Sequence, residues 1–118
     1  IMATDGTIQS GIFQKELESM GMETVIPEPL YQQDIMDLIY RDIKAGLPPD
    51  MDKFRRVSNH LREKEAGVLV LGCTELSLIK KDYDIGDGYV DTLEVLAKYA
   101  LKQCKKEVKE PYENLIKV

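Results

Sequence analysis

A thiol, a hydroxyl and a carboxylate stand side by side at Cys73-Thr74-Glu75, directly after the apolar run Val68-Leu69-Val70-Leu71 and the single glycine Gly72. A cysteine in such a place can do acid–base chemistry. Backbone N–H groups at a helix start favour an anion, and lowering a thiol's pKa from about 8.5 toward neutrality makes thiolate available as a base. Glu75 opposes this by like charge unless it is turned toward a cation such as a substrate ammonium. The plainer reading is a buried structural cysteine ahead of a routine helix. The setting decides between the two.

Four consecutive apolar residues, two of them β-branched, predict a strand covered on both faces over Val68–Leu71. Thr74 is expected to cap a short helix running from about Glu75 to Ile79, so strand, thiol turn and helix form one unit. Three further strands are predicted, at Ile1–Thr4, Glu23–Ile26 and Gly88–Val90. Asp5-Gly6-Thr7 reads as a turn. Between these segments, Phe13, Leu17 and Met20 mark a first helix capped by Ser10 and stopped at Gly21. Tyr31, Ile35, Leu38, Ile39 and Ile43 mark a second, closed by Gly46-Leu47-Pro48-Pro49. Asp50 caps a third with Met51, Phe54, Val57 and Leu61 inward. Asp91 and Glu94 form a capping-box pattern before a long helix striped by Leu93, Leu96, Ala97, Ala100, Leu101 and Cys104.

Alternating strands and helices with short connections predict an α/β fold, a flavodoxin-like three-layer sandwich around a four-stranded parallel sheet of order 2-1-3-4. In that order strands one and three are neighbours, which opens a crevice between Asp5-Gly6-Thr7 and Gly72-Cys73-Thr74. If the second helix lies across the carboxyl edge, its end brings Lys44 to the same crevice. The competing reading of Lys44 is a solvated lysine in a last helical turn. Cys104, 13 residues past Asp91, falls roughly 20 Å below that edge and reads as structural. His60 should lie about 15 Å from the crevice end of its helix, as a surface or boundary histidine.

With 118 residues, 43% of them hydrophobic, the chain has the material for one domain with a core. The net charge of −5 is spread without a basic block, which argues against nucleic acid as a partner. No apolar run approaches a membrane span of roughly 20 residues. Two cysteines far apart and one histidine fit neither a disulfide scaffold nor a zinc site, and point to a cytoplasmic protein without a metal. The domain reading is one α/β lobe over residues 1–110 and a tail over 111–118, whose Tyr112, Leu115 and Ile116 have no evident cover. Because the first strand starts at Ile1 with no polar lead-in, a chain cut at a lobe boundary is expected.

Gly72-Cys73-Thr74-Glu75-Leu76 after an apolar strand resembles the second half-site of the pyridoxal-phosphate-independent aspartate/glutamate racemases. The opening Ala3-Thr4-Asp5-Gly6-Thr7-Ile8-Gln9-Ser10-Gly11 is similar to the segment that begins that family's second lobe. Tyr40-Arg41-Asp42-Ile43-Lys44-Ala45-Gly46 and Val90-Asp91-Thr92 follow its pattern in order. Nothing resembles the first lobe, which carries its own cysteine in a Cys-Asn-Thr context.

The resemblance implies a racemase acting on aspartate or glutamate with no cofactor. Cys73 would be one of two acid/base thiols, and Thr74 and Glu75 would contact the substrate. Thr4, Gly6 and Thr7 would offer hydroxyls and close backbone approach to a carboxylate, and Lys44 would partner the side-chain carboxylate of a small acidic amino acid. The second base belongs to the missing first lobe, so the chain alone is expected to be inactive and to form a homodimer through the surface left uncovered. A non-catalytic binding or assembly module of the same fold is the alternative.

Overall fold

The computed structural model describes residues 1–117. Two parallel strands stand at its centre, β1 (Leu69–Leu71) and β2 (Tyr89–Asp91), paired in the register Leu69 to Tyr89, Val70 to Val90 and Leu71 to Asp91. Met2 joins β1 by a single parallel bridge. Its N–H donates to the Val70 carbonyl at 2.8 Å, and its carbonyl accepts from the Gly72 N–H at 2.8 Å. On the far side, the Ile1 amino group donates to the Val25 carbonyl at 2.7 Å.

The fold is therefore α/β with a parallel sheet, but the sheet has two strands rather than the expected four in order 2-1-3-4. Ile1–Thr4 contributes one bridge, because the chain enters a helix at Asp5. Glu23–Ile26 contributes no strand; the prolines at 27 and 29 have no N–H to extend a ladder past Val25. Among the described residues the sheet thus lacks the four strands in order 2-1-3-4.

The helices are α1 (Asp5–Ser10), α2 (Ile12–Ser19), α3 (Pro29–Met36), α4 (Met51–Glu63), α5 (Thr74–Asp82) and α6 (Thr92–Gln103), and a π-helical segment, Asp37–Ile43, continues α3. The turn expected at Asp5-Gly6-Thr7 is the first turn of α1, capped by Thr4, and Gly11 at φ +68° separates α1 from α2. Asp50 caps α4 as predicted, accepting from the N–H groups of Asp52 and Lys53.

Packed around β1 and β2 are Met2, Ile35, Leu38, Ile39, Phe54, Val57, Leu61, Leu76 and Ile79. The apolar spacing of α4 turns Phe54, Val57 and Leu61 into this core. His60 is buried with them, not at the surface: its ring stacks on Tyr31 at 3.8 Å, and Nε2 accepts from the Glu28 N–H at 3.1 Å.

The striped face of α6 departs most from expectation. No residue of this helix is buried, and Leu96 and Tyr99 are 63% and 61% exposed. Cys104 is an exposed C-cap rather than a packed core thiol. The tail finds more cover than its composition promised. The Gly88 N–H donates to the Lys117 carbonyl at 2.7 Å, and a cavity of about 320 Å³ lies between the 83–89 loop and the tail, with half-buried Leu115 in its wall. Tyr112 and Ile116 remain exposed, and Val118 lies outside the described residues.

Candidate functional site

Gly72 makes the junction possible. A Cβ at this position would sit 3.0 Å from Phe13 Cε2 and 3.2 Å from Ala3 Cβ, so glycine lets β1 lie against the Met2–Ala3 segment without pressing on either side chain. Two residues beyond the Met2–Leu71 bridge, the parallel chains reach Thr4 and Cys73. The two hydroxyl-bearing turns predicted to flank a crevice thus leave the same edge of the sheet.

Cys73, in extended conformation, is itself the N-cap of α5, and Thr74 is the first helical residue rather than the cap. The thiol makes no capping bond. It donates instead to Glu75 Oε2 at 2.8 Å, and the Thr74 hydroxyl donates to the same oxygen at 3.1 Å. The other oxygen, Oε1, lies 3.6 Å from Lys44 Nζ, and that ammonium sits 4.6 Å over the ring of Tyr40. The lysine reaches the thiol site from the far end of the α3–π segment.

The electrostatics reverse the expected activation of the thiol. Burial pushes the Cys73 pKa up to about 11; its bond to the Glu75 carboxylate and that group's charge act in the same direction, while Lys44 opposes them. Glu75 is held below the usual carboxylate range, first by the thiol's hydrogen bond and also by Thr74 and Lys44. Without a ligand, the site is a neutral thiol beside a carboxylate and an ammonium.

Thr4, Gly6 and Thr7 form a neighbouring group. Thr4 Oγ1 and Thr7 Oγ1 are 3.1 Å apart, and the Thr7 N–H donates to Thr4 Oγ1 at 3.4 Å. The space around Gly6 is open, with nothing within 4 Å of a Cβ built there. The structure links these residues to Cys73 through backbone pairing. Cys104 and His60 stay apart from the site: one ends α6, and the other is stacked in α4.

Supporting residues appear that composition and periodicity did not single out. Gln32 donates to the Ala3 carbonyl and to Asp5 Oδ1, both at 2.9 Å, fixing the start of α1. Ser77, one turn past Cys73, donates to buried Asp91 Oδ1 at 2.7 Å, and the same oxygen accepts the Leu93 N–H at 2.9 Å. Thr92 Oγ1 donates to the Leu71 carbonyl at 3.0 Å. The end of β2 therefore grips the chain on both sides of Cys73. The Asp91 cap was visible in the capping-box pattern, and the i, i+4 spacing of Cys73 and Ser77 was the available signal for the other half. Among the described residues no three His, Cys, Asp or Glu side chains converge to hold a metal ion.

The sequence profile of Asp/Glu/Hydantoin racemases matches residues 1–100, an interval that contains every residue of this site. The chain belongs to that racemase family. It is also 27% identical over 100 residues to a protein of Pectobacterium carotovorum subsp. carotovorum described as "Uncharacterized protein in pnlA 3'region", a match covering 83% of this chain and 67% of that protein. The matched residues 1–100 carry one thiol, Cys73, at the strand edge.

Proposed function

We propose that the chain is the second lobe of an amino-acid racemase acting on aspartate or glutamate, and that Cys73 supplies one of two acid/base groups that exchange the α-proton on opposite faces of the substrate. The observation that carries this reading is the Cys73–Glu75–Lys44 cluster, with the thiol 2.8 Å from one carboxylate oxygen and the ammonium 3.6 Å from the other. In a two-base reaction one group starts protonated and the other ionised. A thiol whose pKa is raised to about 11 is the protonated member: it donates the new proton in one direction, and as thiolate removes the α-proton in the other.

The charges around it suit a small acidic amino acid. Glu75 receives the substrate ammonium, Lys44 pairs with the side-chain carboxylate, and Thr4, Thr7 and Thr74 offer hydroxyl donors, with open backbone at Gly6. The opposite-face base comes from a first lobe with a Cys-Asn-Thr cysteine, because Cys104 and His60 are turned to other tasks. No cofactor enters this scheme. The exposed face of α6 is assigned to contact with a second copy of the chain, giving a dimer.

A non-catalytic binding module is the second reading, and the protonated resting state of the thiol is the observation in its favour. Deuterium incorporation at the α-carbon of aspartate in heavy water separates the two. Incorporation that requires Cys73 supports the racemase lobe, and binding without incorporation supports the module.

A further inference from the structure

Lys44 is the cation of the site, yet its side chain is 45% exposed and belongs to a residue at the end of a helix. A long, flexible side chain in that position loses much rotamer freedom when it is held in one geometry. Two features of the structure restrict it. The first is the π-helical segment Asp37–Ile43, closed by the Lys44 N–H donating to the Ile39 carbonyl, an i to i−5 bond of 2.9 Å. Each such turn takes in one more residue than an α-turn, so everything downstream is rotated relative to a continuous helix, and Lys44 at its end stands 3.6 Å from Glu75 Oε1. The second is Tyr40, four residues earlier, whose ring lies 4.6 Å beneath the ammonium.

We infer that Tyr40, carried by the π-helical turn, is a positioning residue that holds the Lys44 ammonium at the site and thereby favours acidic over neutral amino acids. The inference rests on the proposed reading of the site as one for an acidic amino acid. Tyr40 is 49% exposed, so its ring is not needed to fill the core, and its position is explained by the cation above it. Glu75 lies on the other side, so Lys44 is held between an aromatic face and a carboxylate. A lysine prepared in this way loses less freedom when a substrate carboxylate arrives. A neutral side chain of the same shape gains nothing from that preparation.

The test uses the whole chain in three forms: wild type, Tyr40→Phe and Tyr40→Leu. The Lys44 side-chain resonance is identified in a proton–carbon correlation spectrum by its loss in Lys44→Gln. It should be displaced upfield by the ring in wild type and Tyr40→Phe, and should return to the ordinary lysine position in Tyr40→Leu. Aspartate and asparagine are then titrated into each form. Tyr40→Leu should weaken aspartate by about two- to fivefold, the scale of an exposed cation–π contact, while asparagine is unchanged and Tyr40→Phe retains the preference. A Lys44 resonance at the same position in wild type and Tyr40→Leu would overturn the inference whatever the ligands do. So would a Tyr40→Leu that weakens aspartate and asparagine equally, or neither. If the ring shift behaves as expected but wild type binds both ligands alike, the acidic-substrate reading fails while the placement of Lys44 by Tyr40 stands.

Discussion

The Cys73 thiol donates to the Glu75 carboxylate across 2.8 Å, two residues along the same chain. Burial of the sulfur and this contact together keep the thiol protonated at rest. A helix start that could favour a thiolate is outweighed by burial of the sulfur and by a carboxylate ready to accept its proton.

Alkylation at neutral pH should therefore modify Cys104 well before Cys73, since Cys104 is exposed while Cys73 is half-buried and protonated. Glu75→Gln removes a charge that raises the thiol pKa and should speed Cys73 modification several-fold, with Cys104 unchanged as the internal reference. Peptide mapping after timed alkylation measures both. Faster labelling of Cys73 in the unmodified chain would show that the thiol is activated after all.

The thiolate form becomes populated as pH rises toward about 11, and an ordinary unfolded cysteine ionises lower, near 8.5. Any reaction that needs Cys73 as a base should rise about tenfold per pH unit between pH 7 and 10. The linkage has the opposite sign for stability. The unfolded chain releases the thiol proton first, so this group's contribution is complete below about pH 8.5 and declines as pH climbs toward 11. Rate and urea-midpoint profiles of wild type against Cys73→Ser would reveal both trends.

Gly72→Ala places a methyl group 3.0 Å from Phe13 and 3.2 Å from Ala3, in a junction where the Met2 backbone is fixed by two hydrogen bonds. A loss of about 1–3 kcal/mol is expected, the usual scale for overpacking. Urea denaturation gives the value; a change below about 0.5 kcal/mol, within the range of ordinary surface substitutions, would mean that the Met2–Gly72 junction yields easily.

Asp91→Ala should cost about 1–3 kcal/mol, because it removes the cap of α6 and leaves the buried Ser77 hydroxyl only its long 3.5 Å bond to the Cys73 carbonyl. Asp91→Asn retains a capping oxygen and should recover most of that loss. Thermal and urea unfolding of the two variants together distinguish a hydrogen-bonding role from one that needs the charge.

The sites that sequence reasoning reached are those where chemistry and backbone agree. An apolar strand ended by glycine and the Asp50 and Asp91 caps follow from local rules; Lys44 lies beside Glu75 although the second strand from which its placement was argued does not form. Other features depend on what surrounds them. Val25 lies beside Ile1 but has only one backbone bond to it, so a strand-like sequence is left without a ladder. Leu93, Leu96 and Leu101 have the spacing of a buried stripe, but periodicity identifies a face without supplying something to cover it. The thiol pKa was misjudged because the position of the Glu75 carboxylate, turned back onto Sγ, is a rotamer that spacing does not reveal.

That uncovered stripe bears on assembly. Leu93, Leu96 and Leu101 on α6 are each at least 40% exposed, an arrangement that favours self-association of the chain. Light scattering across a concentration series should show a dimer that weakens in Leu96→Glu. A monomer at every concentration would assign the stripe to some other contact.

Proton NMR of L- and D-aspartate incubated separately with the chain in heavy water measures directly whether Cys73 exchanges a proton with the α-carbon of an acidic amino acid. At pH 9–10 the α-proton signal of one enantiomer should decay slowly with its configuration retained, because one base serves one face, and the decay should vanish in Cys73→Ala. Loss of the α-proton at the buffer rate with the unmodified chain, or at an undiminished rate in Cys73→Ala, would contradict the role assigned to this thiol.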